Sequence, residues 1–393
     1  MKHEERPLQG MRVMDFTMMM AGPYCTRILA DLGAEVIKVE APDGDQIRKS
    51  PPLRAGASAY FAQLNAGKQS MSLDLKHPEA VEIAAALCEK ADVVVQSFRP
   101  GVMDRLGLGF EKLAEINHRL VYCSISGFGQ SGPEARRPAF AQIAHAMSGF
   151  DHVQMLYQRS EQPPNVGLFI GDLVTGLYAA IAVQAALLKR TRSGQGEHLD
   201  VTLMESMLNM MPYELQEAQF PQEKPRFVYR PLKAADGFVM VVTVTPTNVA
   251  NLCDAIGRPE WKSDARFNNR VGRGANWEAF CEGIEAWTSL RTAAECEALL
   301  TAAGVPCSRY RTVVDSVRDP HLHERQAFSH VQDGGGELLV SNLPFQISGS
   351  RPLAGQHVPA LGEHSRQILV EQLGLDEAGW QRLLQQGVLG QAS

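Results

Sequence analysis

A glycine–aspartate pair, Gly171 and Asp172, stands where a proline-containing loop gives way to a long run rich in alanine and leucine. Pro163 and Pro164 precede the pair, so we predict a helix that begins at or just after Asp172. Two interpretations of Asp172 are open. It could be a helix N-cap, because aspartate accepts free backbone N–H groups there. It could also be a carboxylate nucleophile, with Gly171 leaving the approach side open and the helix dipole keeping the carboxylate ionised.

Cationic side chains recur near the ends of predicted strands, where a solvated surface position is the ordinary interpretation. One phosphate-bearing ligand at the carboxyl edge of a sheet would explain several of them together, through charge-assisted hydrogen bonds. These cations are Arg48, Lys76, Arg99, Arg105, Arg136 and Arg137. The loop at 17–22 contains three adjacent methionines, which would either give such a site a pliable apolar wall or simply fill the core.

Two segments resemble phosphate-binding loops in sequence. Residues 66–70 (AGKQS) end like a Walker loop, but Gln69 follows Lys68 where serine or threonine is required, so we reject that interpretation. Residues 127–132 (GFGQSG) read G-x-G-x-x-G after a predicted strand, yet the polar segment PEARRPAF follows where a helix is required. A Gly-rich flap beside a ligand is the better interpretation of residues 127–132.

The elements that must position these groups alternate between strand and helix. Residues 11–16 and 34–40 read as buried strands on either side of a helix over 23–32, which is a βαβ unit with a right-handed crossover. The alternation continues through helices and strands at 78–90, 92–98, 110–117 and 120–126. The first half of the chain is therefore predicted to be a doubly wound α/β domain with a parallel sheet.

Composition shifts at residues 212–231, where several prolines and mixed charge indicate a linker. A smaller α+β domain is predicted beyond it, over residues 232–325. The tail, residues 326–393, has no obvious core of its own and is expected to return to the large domain. The predicted large domain therefore comprises residues 1–211 together with 326–393.

Composition excludes several classes of protein. Lys and Arg number 38 against 44 Asp and Glu, and the resulting net charge of -6 gives no general attraction to nucleic acid or to an anionic membrane. Seven cysteines without a C-x-x-C pair argue against a disulfide framework and fit a reduced, cytoplasmic setting. His321 and His323 lack partners at metal-binding spacing, so no metal is expected. The apolar run at 176–188, interrupted by Gln184, is expected to be too short to span a bilayer.

The chain resembles the class III CoA-transferases, the group that includes formyl-CoA transferase, carnitine CoA-transferase and α-methylacyl-CoA racemase. The resemblance is carried by the segments MDFTMMMAGPYCTRILADLGAEVIKVEAP, SLDLKHPEA, ADVVVQSFRPGVMDRLGLGFEKLAEIN, RLVYCSISGFGQSGP, GDLVTGLYAAIAVQAALLKRTRSGQG and DPHLHERQAF. It implies a large Rossmann-like domain and a smaller one, with two chains threaded together as an interlocked-ring homodimer. It also implies coenzyme A, carried as an acyl-CoA thioester, and a small carboxylic acid as substrates.

The family's G-D-x-x-T-G segment corresponds here to Gly171, Asp172, Thr175 and Gly176, which implies that Asp172 is the catalytic nucleophile. Contacts with coenzyme A are implied at the matching positions Met20, Ala21, Leu73, Lys76, Ser97, Phe98, Arg105, Leu106 and Phe140. The family often has asparagine in place of Ser97.

The implied reaction moves coenzyme A from an acyl-CoA donor to an acid through aspartyl anhydride and aspartyl-CoA thioester intermediates, with succinyl-CoA as one candidate donor. An acyl-CoA racemase or epimerase of the same family and a non-catalytic CoA-binding protein are the alternatives. Racemisation needs an acid/base partner opposite Asp172. Phe140 stands where the racemase has histidine, and nearby His145 stands where the family usually has glutamine.

Overall fold

The computed structural model describes residues 6–222 and 226–390. Among them, the residues up to Gln216 and from His323 onward form one compact unit, and those from Glu217 to Leu322 form a second. Residues 223–225 of the predicted linker, and the chain ends 1–5 and 391–393, lie outside the described residues. The limits 1–211, 212–231, 232–325 and 326–393 stay a prediction.

The larger unit is built on a six-stranded sheet in which all paired strands run parallel. Its strands in chain order are β1 (Arg12–Phe16), β2 (Glu35–Glu40), β3 (Gln69–Ser72), β4 (Val93–Gln96), β5 (Val121–Ser126) and β6 (His198–Thr202). Across the sheet their order is β3-β2-β1-β4-β5-β6. The order reverses between β1 and β4, where Val13 pairs with Val36 on one side and Val93 on the other. Open α/β sheets bind ligands outside the carboxyl ends of the strands at such a reversal. The predicted α/β class with a parallel sheet is confirmed.

Hydrophobic residues of these strands alternate between the two faces of the sheet, as the two-residue period of a strand requires. Val93 and Val95 pack in one core cluster with the helix Ala21–Asp31, whereas Val94 packs in another with the helix Pro78–Glu89. Ile368 and Leu383, from the tail, belong to the second cluster. Helices therefore cover both faces of the sheet.

The remaining helices of the larger unit are Ala59–Asn65, Val102–Leu106, Phe110–Ile116, Ala141–Ser148, Phe150–Gln158, Ile170–Ser193, Leu203–Asn209, Ser365–Leu373 and Glu377–Gln385, with a short 3₁₀ helix at Gln46–Lys49. Two antiparallel strand pairs complete it, Leu53–Arg54 with Ala57–Ser58 and Phe328–Asp333 with Gly336–Ser341. The helix Pro212–Gln219 lies within the stretch predicted as a linker, and the helix Pro320–Glu324 lies where the second unit ends.

The second unit has a three-stranded antiparallel sheet of Leu232–Lys233, Phe238–Val241 and Cys307–Arg309. Its helices are Pro246–Ala255, Arg270–Ala275, Trp277–Thr288, Ala293–Ala302 and Val313–Val317, with a 3₁₀ helix at Pro259–Lys262. Trp261, Phe267, Trp277 and Phe280 pack together in its separate core.

The segment that imitates a Walker loop has a structural role. Its Lys68 is buried, and the ammonium group donates to Asp15 Oδ2 at 3.1 Å, Thr26 Oγ1 at 2.8 Å and Asn65 Oδ1 at 2.8 Å. Asp15 is also buried, in the middle of the sheet. A lysine held in this way is not available to a phosphate, which agrees with the rejection of the Walker interpretation.

The helix Ile170–Ser193 is the longest in the described residues, with 24 residues, and it is longer than the apolar run recognised in the sequence. By length and apolar composition alone this one helix could cross a membrane. A core helix of a soluble protein passes the same test, and this helix packs Val183 and Ala179 in the core beside the helix Ala21–Asp31. The helix is therefore weak evidence for a membrane span.

Gly176 lets these two helices approach closely. A Cβ atom added at this glycine would lie 2.6 Å from the Ala21 carbonyl oxygen. We predict that Gly176→Ala lowers the free energy of unfolding by about 2 kcal/mol, because overpacking outweighs the roughly 1 kcal/mol that alanine gains in a helix. Chemical denaturation measures the loss, with Gly167→Ala as the control since its added Cβ meets nothing within 4 Å. Equal stability of the two variants would contradict the prediction.

Candidate active site

Asp172 lies in the first turn of the helix Ile170–Ser193 and is not its N-cap. The helix begins two residues earlier than predicted, and its N-cap, Phe169, supplies no side-chain cap. The N-cap interpretation of Asp172 is therefore wrong. The neighbouring motif residues fix the turn, since Thr175 Oγ1 donates to the Gly171 carbonyl at 2.6 Å. The carboxylate of Asp172 is left to face the cavities beside it.

Two cavities meet at Asp172. One, of about 310 Å³, lies at the carboxyl ends of β1, β4 and β5, where the strand order reverses, and includes Ser97, Phe98 and the cations Arg99, Arg136 and Arg137 in its lining. The other, of about 750 Å³, is walled mainly by apolar groups such as Ile47, Pro51 and Phe169. Met19, Met20, Phe140 and Asp172 line both cavities. A carboxylate at this junction can reach a ligand in either cavity.

Burial raises the pKa of Asp172 to about 6. The helix dipole was expected to keep this carboxylate ionised by lowering its pKa. Burial has the opposite effect and is the stronger of the two, so the pKa rises. At pH 7 most Asp172 side chains are still carboxylates, and desolvation makes such a group a better nucleophile than one in water.

The loop that carries Met18, Met19 and Met20 is fixed by hydrogen bonds to neighbouring segments. The Met18 N–H donates to Ser97 Oγ at 3.2 Å, and the Met19 N–H donates to Asp45 Oδ1 at 3.3 Å. Buried Lys38 ties the same region together, because its ammonium group donates to the Thr17 carbonyl at 2.8 Å and lies 3.0 Å from Asp45 Oδ2. Met19 adopts a left-handed φ of 66°, which these contacts stabilise.

The structure brings together six of the ten residues predicted for the site. Besides Asp172 these are Met20, Ala21, Ser97, Phe98 and Phe140, all in the lining of the 310 Å³ cavity. Leu73 is buried in the core, Lys76 and Arg105 are exposed, and Leu106 packs at the edge of a core cluster. These four follow β3 or β4 in the chain, and none of them is in the lining of the two cavities. The contacts of the other nine residues with coenzyme A, and the catalytic role of Asp172, stay predictions.

The Gly-rich flap at 127–132 is attached to β6. The Gln130 N–H donates to Asp200 Oδ2 at 2.8 Å, and the Gly129 N–H donates to Ser126 Oγ at 2.9 Å. Gly127 lines the 310 Å³ cavity, and the helix that follows the flap begins only at Ala141. A dinucleotide fingerprint requires that helix directly after the loop.

Tyr60 is a site residue that sequence reasoning missed. It lines the 750 Å³ cavity with Asp172, on the helix Ala59–Asn65. Burial, with the charges of Asp172 and Asp45, raises the pKa of Tyr60 to about 12, so its hydroxyl keeps the proton as a hydrogen-bond donor. Ser58 was the available signal, because a serine before AYFAQLN is a typical N-cap, and its Oγ accepts from the Phe61 N–H at 3.1 Å.

Among the residues the structure describes, there is no group of three or more His, Cys, Asp or Glu side chains that could hold a metal ion. The seven cysteines are free thiols, six of them buried.

Comparison with known proteins identifies the family of the chain. Residues 8–365 match the profile of CoA-transferase family III. Succinyl-CoA:mesaconate CoA-transferase of Haloarcula hispanica is 34% identical, over 95% of this chain and 96% of its own. Succinyl-CoA–D-citramalate CoA-transferase of Chloroflexus aurantiacus is also 34% identical, over 95% of each chain. A crystal structure of a CAIB/BAIF family protein from Brucella suis superposes with a TM-score of 0.81 at 30% identity, covering 94% of this chain and 100% of that one. The chain belongs to CoA-transferase family III and is an enzyme that uses coenzyme A thioesters.

Proposed function

We propose that this enzyme transfers coenzyme A from succinyl-CoA to a carboxylic acid, with Asp172 as the nucleophile. The observation that carries the proposal is the position of Asp172, a partly buried carboxylate at the junction of a cation-lined cavity and an apolar one. The two relatives named above act on succinyl-CoA, which supports that donor.

The proposed reaction begins when an oxygen of Asp172 attacks the thioester carbonyl of the donor. The C–S bond breaks, the CoA thiolate leaves, and a mixed anhydride remains on Asp172. The thiolate then attacks the Asp172 acyl carbon, releasing the donor acid as its carboxylate and leaving an aspartyl-CoA thioester. Covalent catalysis of this kind divides one difficult step into easier ones.

The second half repeats the first in reverse. The acceptor carboxylate attacks the aspartyl thioester and expels the CoA thiolate, which leaves a second anhydride. The thiolate attacks the acceptor's carbonyl carbon, so the new acyl-CoA forms and Asp172 is regenerated as a carboxylate. Tyr60 and Asp172 line the same 750 Å³ cavity. The Tyr60 hydroxyl is therefore placed to donate a hydrogen bond that stabilises the tetrahedral oxyanions formed in these steps.

Positively charged side chains in one of the two cavities indicate where coenzyme A would bind. Arg99, Arg136 and Arg137 lie in the lining of the 310 Å³ cavity, so that cavity suits the anionic cofactor, and Ser97 and Phe98 would lie along it. Lys76 and Arg105 follow strands that end at the same sheet edge, and we propose that they bind the phosphates farther along it. The acyl group and the acceptor acid would then occupy the 750 Å³ cavity.

Trapping the intermediate tests the proposal. The enzyme is incubated with succinyl-CoA, quenched with hydroxylamine, and digested for mass spectrometry. A hydroxamate on Asp172, together with transfer to an added acid, is the expected result. Absence of the label while transfer proceeds would refute Asp172 as the nucleophile.

The same assay run in deuterium oxide examines the racemase alternative. Exchange of the donor's α-proton without transfer would support that alternative over ours. The geometry does not favour it, because no histidine is among the described residues that line the two cavities. The non-catalytic alternative predicts neither label nor exchange.

The pKa of Asp172 predicts the acid limb of the pH profile. Only the carboxylate can attack, so kcat/KM for succinyl-CoA is expected to rise as the pH passes about 6, the pKa of Asp172, and to level off above it. Initial rates between pH 5 and 8 measure this limb. A profile that stays flat down to pH 5 would show that a different group controls the rate.

We also propose the interlocked-ring homodimer and a cytoplasmic location. Leu177, Ile181 and Leu188 are exposed along one face of the helix Ile170–Ser193, as a surface covered by a second chain would require. The free cysteines fit a reducing compartment.

A further inference from the structure

His145 is buried beside the nucleophile, although it is not among the residues that line the two cavities. It is 1% exposed, and its Nε2 accepts a hydrogen bond from the Gly171 N–H at 2.9 Å. A backbone N–H only donates, so Nε2 must be the unprotonated nitrogen of a neutral imidazole. Burial lowers the pKa of His145, which keeps this lone pair available at neutral pH.

This bond satisfies a group that the helix itself leaves free. The first four N–H groups of a helix have no partner within it, and Phe169 offers no side-chain cap. His145 therefore acts as a cap from a different helix, Ala141–Ser148, on the residue directly before Asp172. A buried N–H without a partner is unfavourable, so the acceptor on His145 stabilises this turn.

The two helices also touch at this point. A Cβ added at Gly171 would lie 3.5 Å from Ala141 Cα and 3.5 Å from His145 Nε2. Phe140 and Gln142, at the start of the histidine's helix, line the 750 Å³ cavity together with Asp172. The bond from Gly171 to His145 thus joins the turn that carries the nucleophile to the segment that carries part of the cavity wall.

We propose that His145 is a positioning residue, whose Nε2 fixes the first turn of the nucleophile's helix and so aims the Asp172 carboxylate at the bound thioester. The inference rests on the proposed function of Asp172. His145 does not touch the reacting atoms; it holds the backbone one residue away. A displacement of about 1 Å of a reacting group can cost roughly 100-fold in rate.

Two substitutions separate the hydrogen bond from the shape of the side chain. His145→Leu removes the acceptor, whereas His145→Gln keeps one at similar reach. For His145→Leu we expect kcat with succinyl-CoA to fall by about 10- to 100-fold while KM changes by less than about 2-fold, since the cavity lining is kept. His145→Gln is expected to retain kcat within about 3-fold of the unchanged enzyme.

Exposed His152, on the next helix, provides the matched control, and His152→Leu is expected to leave kcat unchanged. Where His145→Leu does not fold, His145→Asn replaces it, because its shorter amide falls short of the Gly171 N–H. Unchanged kcat in the folded variant without the acceptor, or a glutamine variant as slow as the leucine variant, would overturn the inference.

Hydroxamate labelling of Asp172 distinguishes a failure of the role proposed for His145 from a failure of the proposed function. If Asp172 is labelled in every variant at the rate of the unchanged enzyme, only the role of His145 fails. If Asp172 is never labelled while transfer proceeds, the nucleophile itself is wrong and the inference falls with it. Slower labelling in His145→Leu, restored in His145→Gln, supports both.

Discussion

Replacing Asp172 by asparagine is expected to lower the rate of CoA transfer by at least about 10³-fold, because the amide keeps the shape of the side chain but cannot attack a thioester. Transfer of radiolabelled coenzyme A from succinyl-CoA to a panel of acids measures the effect. The exposed carboxylate of Asp43 supplies the control, and Asp43→Asn should transfer normally. Activity of Asp172→Asn near that of the unchanged enzyme would rule out the nucleophile.

The stability of Asp172→Asn shows whether a loss of CoA transfer comes from the missing nucleophile or from unfolding of the variant. Burial raises the pKa of Asp172, so the ionised group is less favourable in the folded chain than in the unfolded one, and this penalty grows as the pH rises through the range from about 4 to 6. At pH 7 the neutral amide avoids it. The Asp172→Asn variant is therefore expected to be at least as stable as the unchanged enzyme in chemical denaturation.

Replacing Lys68 by methionine is expected to lower the free energy of unfolding by about 3–5 kcal/mol, because Asp15 would be left as a buried charge without its partner. The two side chains are both fully buried and are 3.1 Å apart. Thr26 and Asn65 lose the same donor. Urea denaturation at pH 7 measures the loss, and Lys49→Met, at an exposed lysine, is the control.

The pH dependence identifies the cause of that destabilisation. Burial alone would raise the pKa of Asp15, but the ammonium groups of Lys68 and Lys38, with hydrogen bonds from Thr17 and Thr26, lower it to about 2. In the unchanged enzyme the ionised form therefore adds stability above about pH 4, which is lost as the pH falls towards 2. Without Lys68 the carboxyl group is expected to protonate more readily, so the deficit of Lys68→Met should shrink from pH 7 to pH 4. A deficit independent of pH would mean that lost packing, not charge, is responsible.

Local patterns predicted most of the regular elements of the large unit. The helix Pro78–Glu89 and the strand Val121–Ser126 lie within one residue of the predicted limits at each end, because periodic apolar residues and clear helix ends marked them. Helices that were not predicted include Ala59–Asn65, Val102–Leu106, Ala141–Ser148 and Phe150–Gln158. They are short and depend on packing against the rest of the unit, which a local pattern does not contain.

Sequence by itself singled out the residue that we propose does the chemistry, and it predicted the edge of the sheet at which a ligand binds. Gly171, Asp172, Thr175 and Gly176 belong to one short sequence motif, so they can be recognised without knowing the fold. Alternating strands and helices already imply a parallel sheet with a ligand edge.

Tertiary structure decided what surrounds that carboxylate. Burial, which sets the pKa of Asp172, depends on which distant segments cover it, and Tyr60 reaches the same cavity from more than a hundred residues away in the chain. His145 could be weighed from the sequence only as a base in a racemase. Its bond to Gly171 exists because two helices pack against each other there, and such a contact follows from packing in three dimensions and not from spacing along the chain.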